Sequence, residues 1–453
     1  MKPLKIGITG VRGIVGETLT PELIVQFAQA FGTYLDGGRI LVCRDTRPSG
    51  PMARAAVLSG LLAAGCEAVD LGICPTPTMQ LAVKEFGAQG GLSITAGHNP
   101  AHWNALKFVR GDGLYLNTMQ AEELLDVFHQ GEFTKAKWDE MQTRIKTRDA
   151  LDVHLAILQR VFDVAAIRAR RFTVAVDYCN GACVPLSSRW LENLGCTVLA
   201  INDDVSAPFP HNPEPKRETL AQLRAVVKAG HADIGFAHDA DGERLGLVTE
   251  TGEALSEELT LALAAEIQLQ RTRGTPGTVV TNVSTTRTID AIAARHAATV
   301  VRTPVGASYI AEAILEHQAV IGGEGNGAVA VPAVQAAHDS AAAIGLLLEH
   351  LAHSGQRLSE LVAALPRYVM LKRYVPVAPN LLFSALHEVR QEAANAGAAE
   401  LDLRDGIKLS WPDGWLHVRA SNTESMIRLI AEAETEARTR ELLAWARDRL
   451  PRS

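Results

Sequence analysis

Residues Ala53–Gly72 read ARAAVLSGLLAAGCEAVDLG. The first part spaces apolar residues at i, i+3 and i+4, breaks at Gly65, and is followed by the short apolar run CEAVDLG. This predicts a helix feeding a buried strand. A further strand, Arg39–Cys43 (RILVC), precedes it. The same strand–helix–strand order recurs at Phe172–Val176 with Ser187–Ile201 (SSRWLENLGCTVLAI), and at Gly277–Val283 with Thr288–Thr303 (TIDAIAARHAATVVRT). Three copies of one pattern predict three related α/β units. Polar connectors near 150, 250 and 366 set expected domains at 1–150, 151–250 and 251–366. In 367–453, a helix at Asn380–Ala394, short strands at Leu401–Arg404, Ile407–Ser410, Trp415–Arg419 and Met426–Ala431, and a closing helix at Thr435–Leu450 predict a smaller α+β domain.

A chain of 453 residues is too long for one core, and about three or four domains are expected on length alone. Apolar residues make up 47% and charged residues 21%, the profile of a globular protein. No apolar run reaches the roughly 18 residues that span a bilayer. The start, Met1-Lys2-Pro3-Leu4-Lys5, is unlike a signal peptide, so the expected compartment is the cytoplasm. A net charge of −7 argues against a nucleic-acid surface. The six cysteines form no disulfide framework, and Cys179 and Cys183 lack the second Cys/His pair of a zinc site.

Five segments carry chemistry. In His238-Asp239-Ala240-Asp241-Gly242-Glu243-Arg244, an extended backbone directs the carboxylates at i, i+2 and i+4 to one side. An all-oxygen set favours Mg²⁺ or Ca²⁺. An EF-hand loop competes, but it needs glycine where Arg244 stands. Arg419-Ala420-Ser421-Asn422-Thr423-Glu424-Ser425 with Arg428 reads as a phosphate-binding loop between strands, or equally as a helix cap. Gly7–Gly16, with Arg12, lets backbone approach an anionic ligand, as does Arg44-Asp45-Thr46-Arg47 more weakly. Ser93–Pro100 (SITAGHNP) forms a tight polar loop with His98, and Lys107 reaches back over it. Gly322–Gly327 (GGEGNG) presents Glu324 and Asn326 on a flexible backbone suited to sugar hydroxyls.

In sequence order these segments resemble the α-D-phosphohexomutases, the family of phosphoglucomutase, phosphomannomutase and phosphoglucosamine mutase. RDTRPS (Arg44–Ser49), FPHNPEP (Phe209–Pro215) and TPVG (Thr303–Gly306) extend the likeness over nearly the whole chain. The resemblance implies four domains around a central cleft: three similar α/β domains with mixed sheets and a smaller C-terminal α+β domain. It implies interconversion of hexose or hexosamine 1-phosphate and 6-phosphate through a sugar 1,6-bisphosphate. It further implies Mg²⁺ on Asp239, Asp241 and Glu243, sugar hydroxyls on Glu324 and Asn326, and the non-reacting phosphate on Arg419, Ser421, Asn422, Thr423 and Arg428. Arg12, His98, Lys107 and Arg244 fall at the reacting end. The expected partner is a small-molecule sugar phosphate, with no nucleic acid or membrane, and the chain is expected as monomer or homodimer.

Two departures matter. Where the family carries a phosphoryl-accepting serine, in TASHNP, this chain has Gly97, and after the sugar loop's last glycine it has Ala328 rather than His. Three readings follow from Gly97. The first is a mutase with another phosphoryl carrier, His98 before Thr95, or with direct transfer from bound bisphosphate. The second is a sugar-phosphate-binding or regulatory homologue, and the third a phosphatase. GGEGNG and WNALK lean towards hexosamine phosphates.

Overall fold

The computed structural model describes all residues except 1–4, 8–9, 143–144, 273–275, 394–395, 421–425 and 451–453. Its strands form four sheets. The first has seven strands in the order Lys5–Gly7, Gly10–Ile14, Trp103–Arg110, Gly90–Ile94, Arg39–Arg44, Glu67–Ile73, Lys146–Thr147. The last four, Gly90–Ile94 to Lys146–Thr147, are parallel, and Trp103–Arg110 turns the sheet mixed by pairing antiparallel with Gly90–Ile94. The second runs Leu245–Thr249, Ile234–His238, Thr173–Asp177, Thr197–Ile201, and the third Thr299–Thr303, Thr278–Asn282, Ile321–Glu324, Ala328–Ala330. Each of these two is parallel apart from one antiparallel edge strand. The repeated sequence pattern therefore corresponds to three mixed sheets, each with helices packed on parallel strands.

The fourth sheet is antiparallel throughout: Val369–Pro376, Met426–Ala433, Gly414–Ala420, Ile407–Trp411, Glu400–Asp402. The helices Leu382–Ala393 and Glu436–Arg447 cover its apolar face. Three expected elements are shorter, the closing helix of Thr435–Leu450 being Glu436–Arg447. Pro379 begins a single 3₁₀ turn ahead of the first helix, as proline's fixed φ and missing donor favour. The Leu401–Arg404 strand is Glu400–Asp402, because Arg404 turns its guanidinium back onto the Asp402 carboxylate.

Strand ends position the site. Gly90–Ile94, Ile234–His238 and Ile321–Glu324 each run into one of the chemical segments, at the carboxyl edge where α/β sheets bind ligands. The second and third sheets share one core, in which Phe162, Trp190 and Phe236 cluster with Leu261, Ile344 and Leu347. Each fully buried side chain of this kind contributes about 1.5–3 kcal/mol, enough to hold the two units as one body. A backbone bond from Leu245 N to Gly327 O (2.9 Å) and a bridge between Arg244 and Ala328 tie the acidic segment to the sugar loop. Among the described residues, no helix is long and apolar enough to cross a membrane.

Candidate active site

The loop after Ile94 is held from beneath by Arg47, which is completely buried. Its Nε donates to Asp45 Oδ2 (2.8 Å), Nη1 to the carbonyls of Pro100 (2.6 Å) and Trp103 (3.0 Å), and Nη2 to those of Gly97 (2.5 Å) and Asn99 (2.7 Å). Thr95 Oγ1 donates to Asp45 Oδ2 (2.6 Å) and accepts from Gly97 N (2.9 Å). Gly97 takes φ +53°, in the left-handed region that costs an L side chain energy. A Cβ there would lie 3.3 Å from Asp241 Oδ1. Residue 97 thus faces the acidic segment directly.

That segment is a turn, and this corrects the extended reading in which three carboxylates share one side. Gly242 has φ +81°, and Asp239 Oδ1 folds back to accept from Gly242 N (3.0 Å) and Arg244 N (3.1 Å). Lys107 Nζ donates to Asp241 Oδ2 and Glu243 Oε2, both at 2.7 Å. The second Glu243 oxygen accepts from Tyr115 Oη. Among the described residues, no three His, Cys, Asp or Glu side chains close a cation cage. The ammonium of Lys107 supplies the positive charge here, and Glu243 turns to Lys107 and Tyr115. Burial, then the neighbouring Asp241, raises the Asp239 carboxyl well above its usual range. Burial also acts on Asp241, but Lys107 outweighs it and keeps that carboxyl low. Asp241 Oδ1 is buried with no hydrogen-bond partner among the described residues.

Two helix starts grip this turn from either side. Thr76 N donates to the Asp241 carbonyl (3.0 Å), and Ser340 N to that of Gly242 (3.0 Å). Asp339 caps the helix Ser340–Ser354 and pairs with His154 Nε2 (2.9 Å), whose Nδ1 meets Thr78 Oγ1 (2.8 Å). One buried cluster thereby joins three units under the acidic turn.

Around the turn the charge is positive. Arg12 Nη1 donates to Asn99 Oδ1 (2.7 Å). Arg244 Nη1 pairs with Glu214 (3.1 Å), while its Nη2 lies 3.4 Å from His98 Nε2. Burial, then the guanidiniums of Arg244, Arg428 and Arg47, lowers Arg12 from the usual arginine value. Arg12 on the first sheet and Arg428 on the fourth thus lie near enough for their charges to interact. Burial, then Arg244, Arg12 and Lys107, drives the His98 imidazolium value well below the ordinary histidine range, so the ring is neutral. Since guanidinium only donates, Nε2 carries the lone pair.

Glu324 is buried and accepts from Asn282 Nδ2 (2.7 Å) and Gly306 N (3.1 Å) through Oε1, and from Asn326 Nδ2 (3.4 Å) through Oε2. Arg419 and Arg428 stand opposite each other on adjacent strands, with Arg428 5.8 Å from the Tyr374 ring. Ser421, Asn422 and Thr423 lie outside the described residues. Sequence reasoning missed Tyr115, Thr76 and Ser340, which carry no motif. Arg47 was within reach through RDTRPS.

Four family profiles match in order. They are phosphoglucomutase/phosphomannomutase alpha/beta/alpha domain I over residues 3–135, domain II over 152–252, domain III over 256–368, and the C-terminal domain over 380–448. A phosphoglucomutase/phosphomannomutase of Thermococcus kodakarensis is 38% identical over 445 residues, covering 96% of each chain. A probable phosphoglucosamine mutase of Methanopyrus kandleri is 37% identical, covering 96% of this chain and 95% of its own. A solved phosphoglucomutase/phosphomannomutase family protein of Burkholderia thailandensis superposes with a TM-score of 0.86 at 27% identity, over 99% of this chain and 97% of that one. The chain belongs to the phosphoglucomutase/phosphomannomutase family, the α-D-phosphohexomutases, and is an intramolecular phosphotransferase of that type.

Proposed function

We propose that the protein interconverts a hexosamine or hexose 1-phosphate and 6-phosphate through the sugar 1,6-bisphosphate, with His98 as the phosphoryl carrier that Gly97 cannot be. One observation carries this reading: a neutral His98 whose Nε2 lone pair faces Arg244 at 3.4 Å, inside a ring of cations, beside a residue with no side chain. Thr95 is the weaker candidate, since its hydroxyl is buried and already both donates and accepts. In the step, Nε2 attacks a phosphoryl group of the bisphosphate, an N–P bond forms and the P–O bond to the sugar breaks. The ring's own proton ends on the released sugar oxygen. Transfer from His98 to the free 6-hydroxyl of an incoming 1-phosphate regenerates the bisphosphate and returns the hydroxyl proton to the imidazole. The bisphosphate turns, and loss of its 1-phosphoryl group to His98 releases the 6-phosphate. The cations Arg12, Lys107 and Arg244 hold the phosphoryl oxygens, and water-poor burial strengthens these contacts.

Asp239, Asp241 and Glu243 are the oxygen donors that would hold Mg²⁺, Glu243 by turning from Lys107 and Tyr115, and the orphaned Asp241 Oδ1 is the atom that points to it. When bound, the ion supplies charge stabilisation to the transferring group. Glu324 and Asn326 orient the sugar hydroxyls, while Arg419 and Arg428, with Ser421, Asn422 and Thr423, hold the distal phosphate. The same reading places domains at 1–150, 151–250, 251–366 and 367–453 and the enzyme in the cytoplasm as monomer or homodimer, and favours a hexosamine phosphate. The test is incubation with glucosamine 1-phosphate or glucose 1-phosphate, Mg²⁺ and a catalytic amount of sugar bisphosphate. Formation of the 6-phosphate is expected; a yield no greater than the blank would sink the proposal.

A further inference from the structure

The distal phosphate clamp and the sugar loop belong to different sheets, yet one carboxylate connects them. Asp405 Oδ1 accepts from Arg419 Nε (3.0 Å), and its Oδ2 accepts from Val305 N (2.9 Å). The next amide, Gly306 N, donates to Glu324 Oε1 (3.1 Å). A second route returns to the same oxygen. The Asp405 carbonyl accepts from His417 Nε2 (2.5 Å), and His417 Nδ1 meets Ser284 Oγ (2.8 Å). Ser284 N then donates to Asn282 Oδ1 (2.8 Å), and Asn282 Nδ2 to Glu324 Oε1 (2.7 Å). Because a carbonyl only accepts, His417 carries its proton on Nε2 and its Nδ1 accepts from the serine, so every bond in this route has a donor and an acceptor.

The ring is a built feature. His417 is fully buried, and Arg419 and Glu324 are each buried. Gly406 has φ +74°, and a Cβ there would lie 2.5 Å from Val418 O and 2.8 Å from Arg419 Cβ. Only glycine lets the Asp405 turn lie flat against the strand that carries Arg419.

We infer that Asp405 is a positioning residue that fixes the spacing between the distal phosphate on Arg419 and the sugar hydroxyls on Glu324, and so sets the length of sugar phosphate that fits. The inference rests on the mutase reading for the substrate class. A mutase reads one sugar in two orientations with the non-reacting phosphate in the same clamp, so this spacing acts on both isomers. An acidic residue beside a phosphate clamp weakens the local positive charge; its presence here is explained by geometry rather than by affinity for phosphate.

The test is a double-mutant cycle of Asp405→Asn and Arg419→Lys, read by calorimetry with glucosamine 1-phosphate, glucosamine 6-phosphate and inorganic phosphate, with thermal melting of each variant. Losing one charge-assisted positioning bond is expected to weaken both sugar phosphates about tenfold in Asp405→Asn, raising KM and leaving kcat within about threefold. Inorganic phosphate, which needs the clamp alone, changes less than about threefold by the same principle. In the Arg419→Lys background, which lacks the Nε donor, Asp405→Asn has little further effect. Equal changes for sugar phosphate and inorganic phosphate, additivity in the cycle, or a fall in melting temperature with unchanged binding would overturn the inference. A parent protein that binds the sugar phosphates without interconverting them would count against the mutase reading and leave the cycle's answer intact.

Discussion

Replacing Gly97 by alanine isolates the backbone that the loop imposes on the phosphoryl site. The residue sits at φ +53°, where an L side chain costs about 1–2 kcal/mol. The added methyl would stand 3.3 Å from Asp241 Oδ1 and 3.5 Å from Oδ2, tight contacts relieved by a shift of a few tenths of an ångström, so the backbone term dominates. For a unit of this size the cost lowers the melting temperature by about 2–8 °C. The opposite sign is expected where a glycine has an ordinary right-handed or extended backbone, since alanine then stabilises by about 0.4–1 kcal/mol. Differential scanning calorimetry of Gly97→Ala beside the parent reads the sign directly. An unchanged or raised melting temperature would refute the left-handed turn, and with it the claim that residue 97 faces Asp241. Gly97→Ser should bear the same backbone cost while placing a hydroxyl beside Asp241. In that background, loss of His98 (His98→Asn) is expected to matter much less for turnover than it does in the parent.

Arg47→Lys replaces a five-bond fork with an ammonium of three donors, leaving buried carbonyls of the 97–103 loop unpaired. A loss of about 2–5 kcal/mol is expected by melting, with turnover down at least tenfold, and parent-like values would contradict the clamp. Lys107→Met strips Asp241 and Glu243 of their cation and should cost about 3–5 kcal/mol. Added Mg²⁺ should recover part of that by binding the folded chain, whereas no response of the melting temperature to Mg²⁺ would count against the acidic turn as a metal site. Lys408, buried with Nζ 2.7 Å from Val283 O, is pushed down to about 7 by burial and then Arg302. Between that value and its ordinary one the unfolded chain binds more protons, so this group makes stability rise with pH across the window. The gain in melting temperature from Lys408→Met should therefore be larger at pH 6.5 than at pH 9.5, and a pH-independent difference would exclude the effect.

The repeated units were legible because their helices and strands obey simple periodicities, as in Ala53–Gly72, and because Gly65 and Gly195 end helices where the spacing breaks. The chemical residues were legible because their types are restrictive: carboxylates for a cation, paired arginines for a phosphate. What lay beyond reach was long-range. Tyr115 meets Glu243 across 128 positions of sequence and His154 meets Asp339 across a still longer span; neither has a local signal. The turn at 239–243 was misread as extended because alternating carboxylates mimic a strand, and only Gly242 hinted otherwise. Nothing in the sequence around Asp405 announces its link to Val305 and, through Gly306, to Glu324.

In the proposed reaction the phosphoryl group passes through His98, beside a residue that has no side chain. Intact mass and peptide mapping of the protein after incubation with sugar bisphosphate and Mg²⁺ test it most directly. One phosphoryl group, labile to acid and stable to alkali, is expected on His98 and absent from His98→Asn. A phosphoryl group on another residue of 93–107, or turnover with no phosphorylated protein at any time, would contradict it.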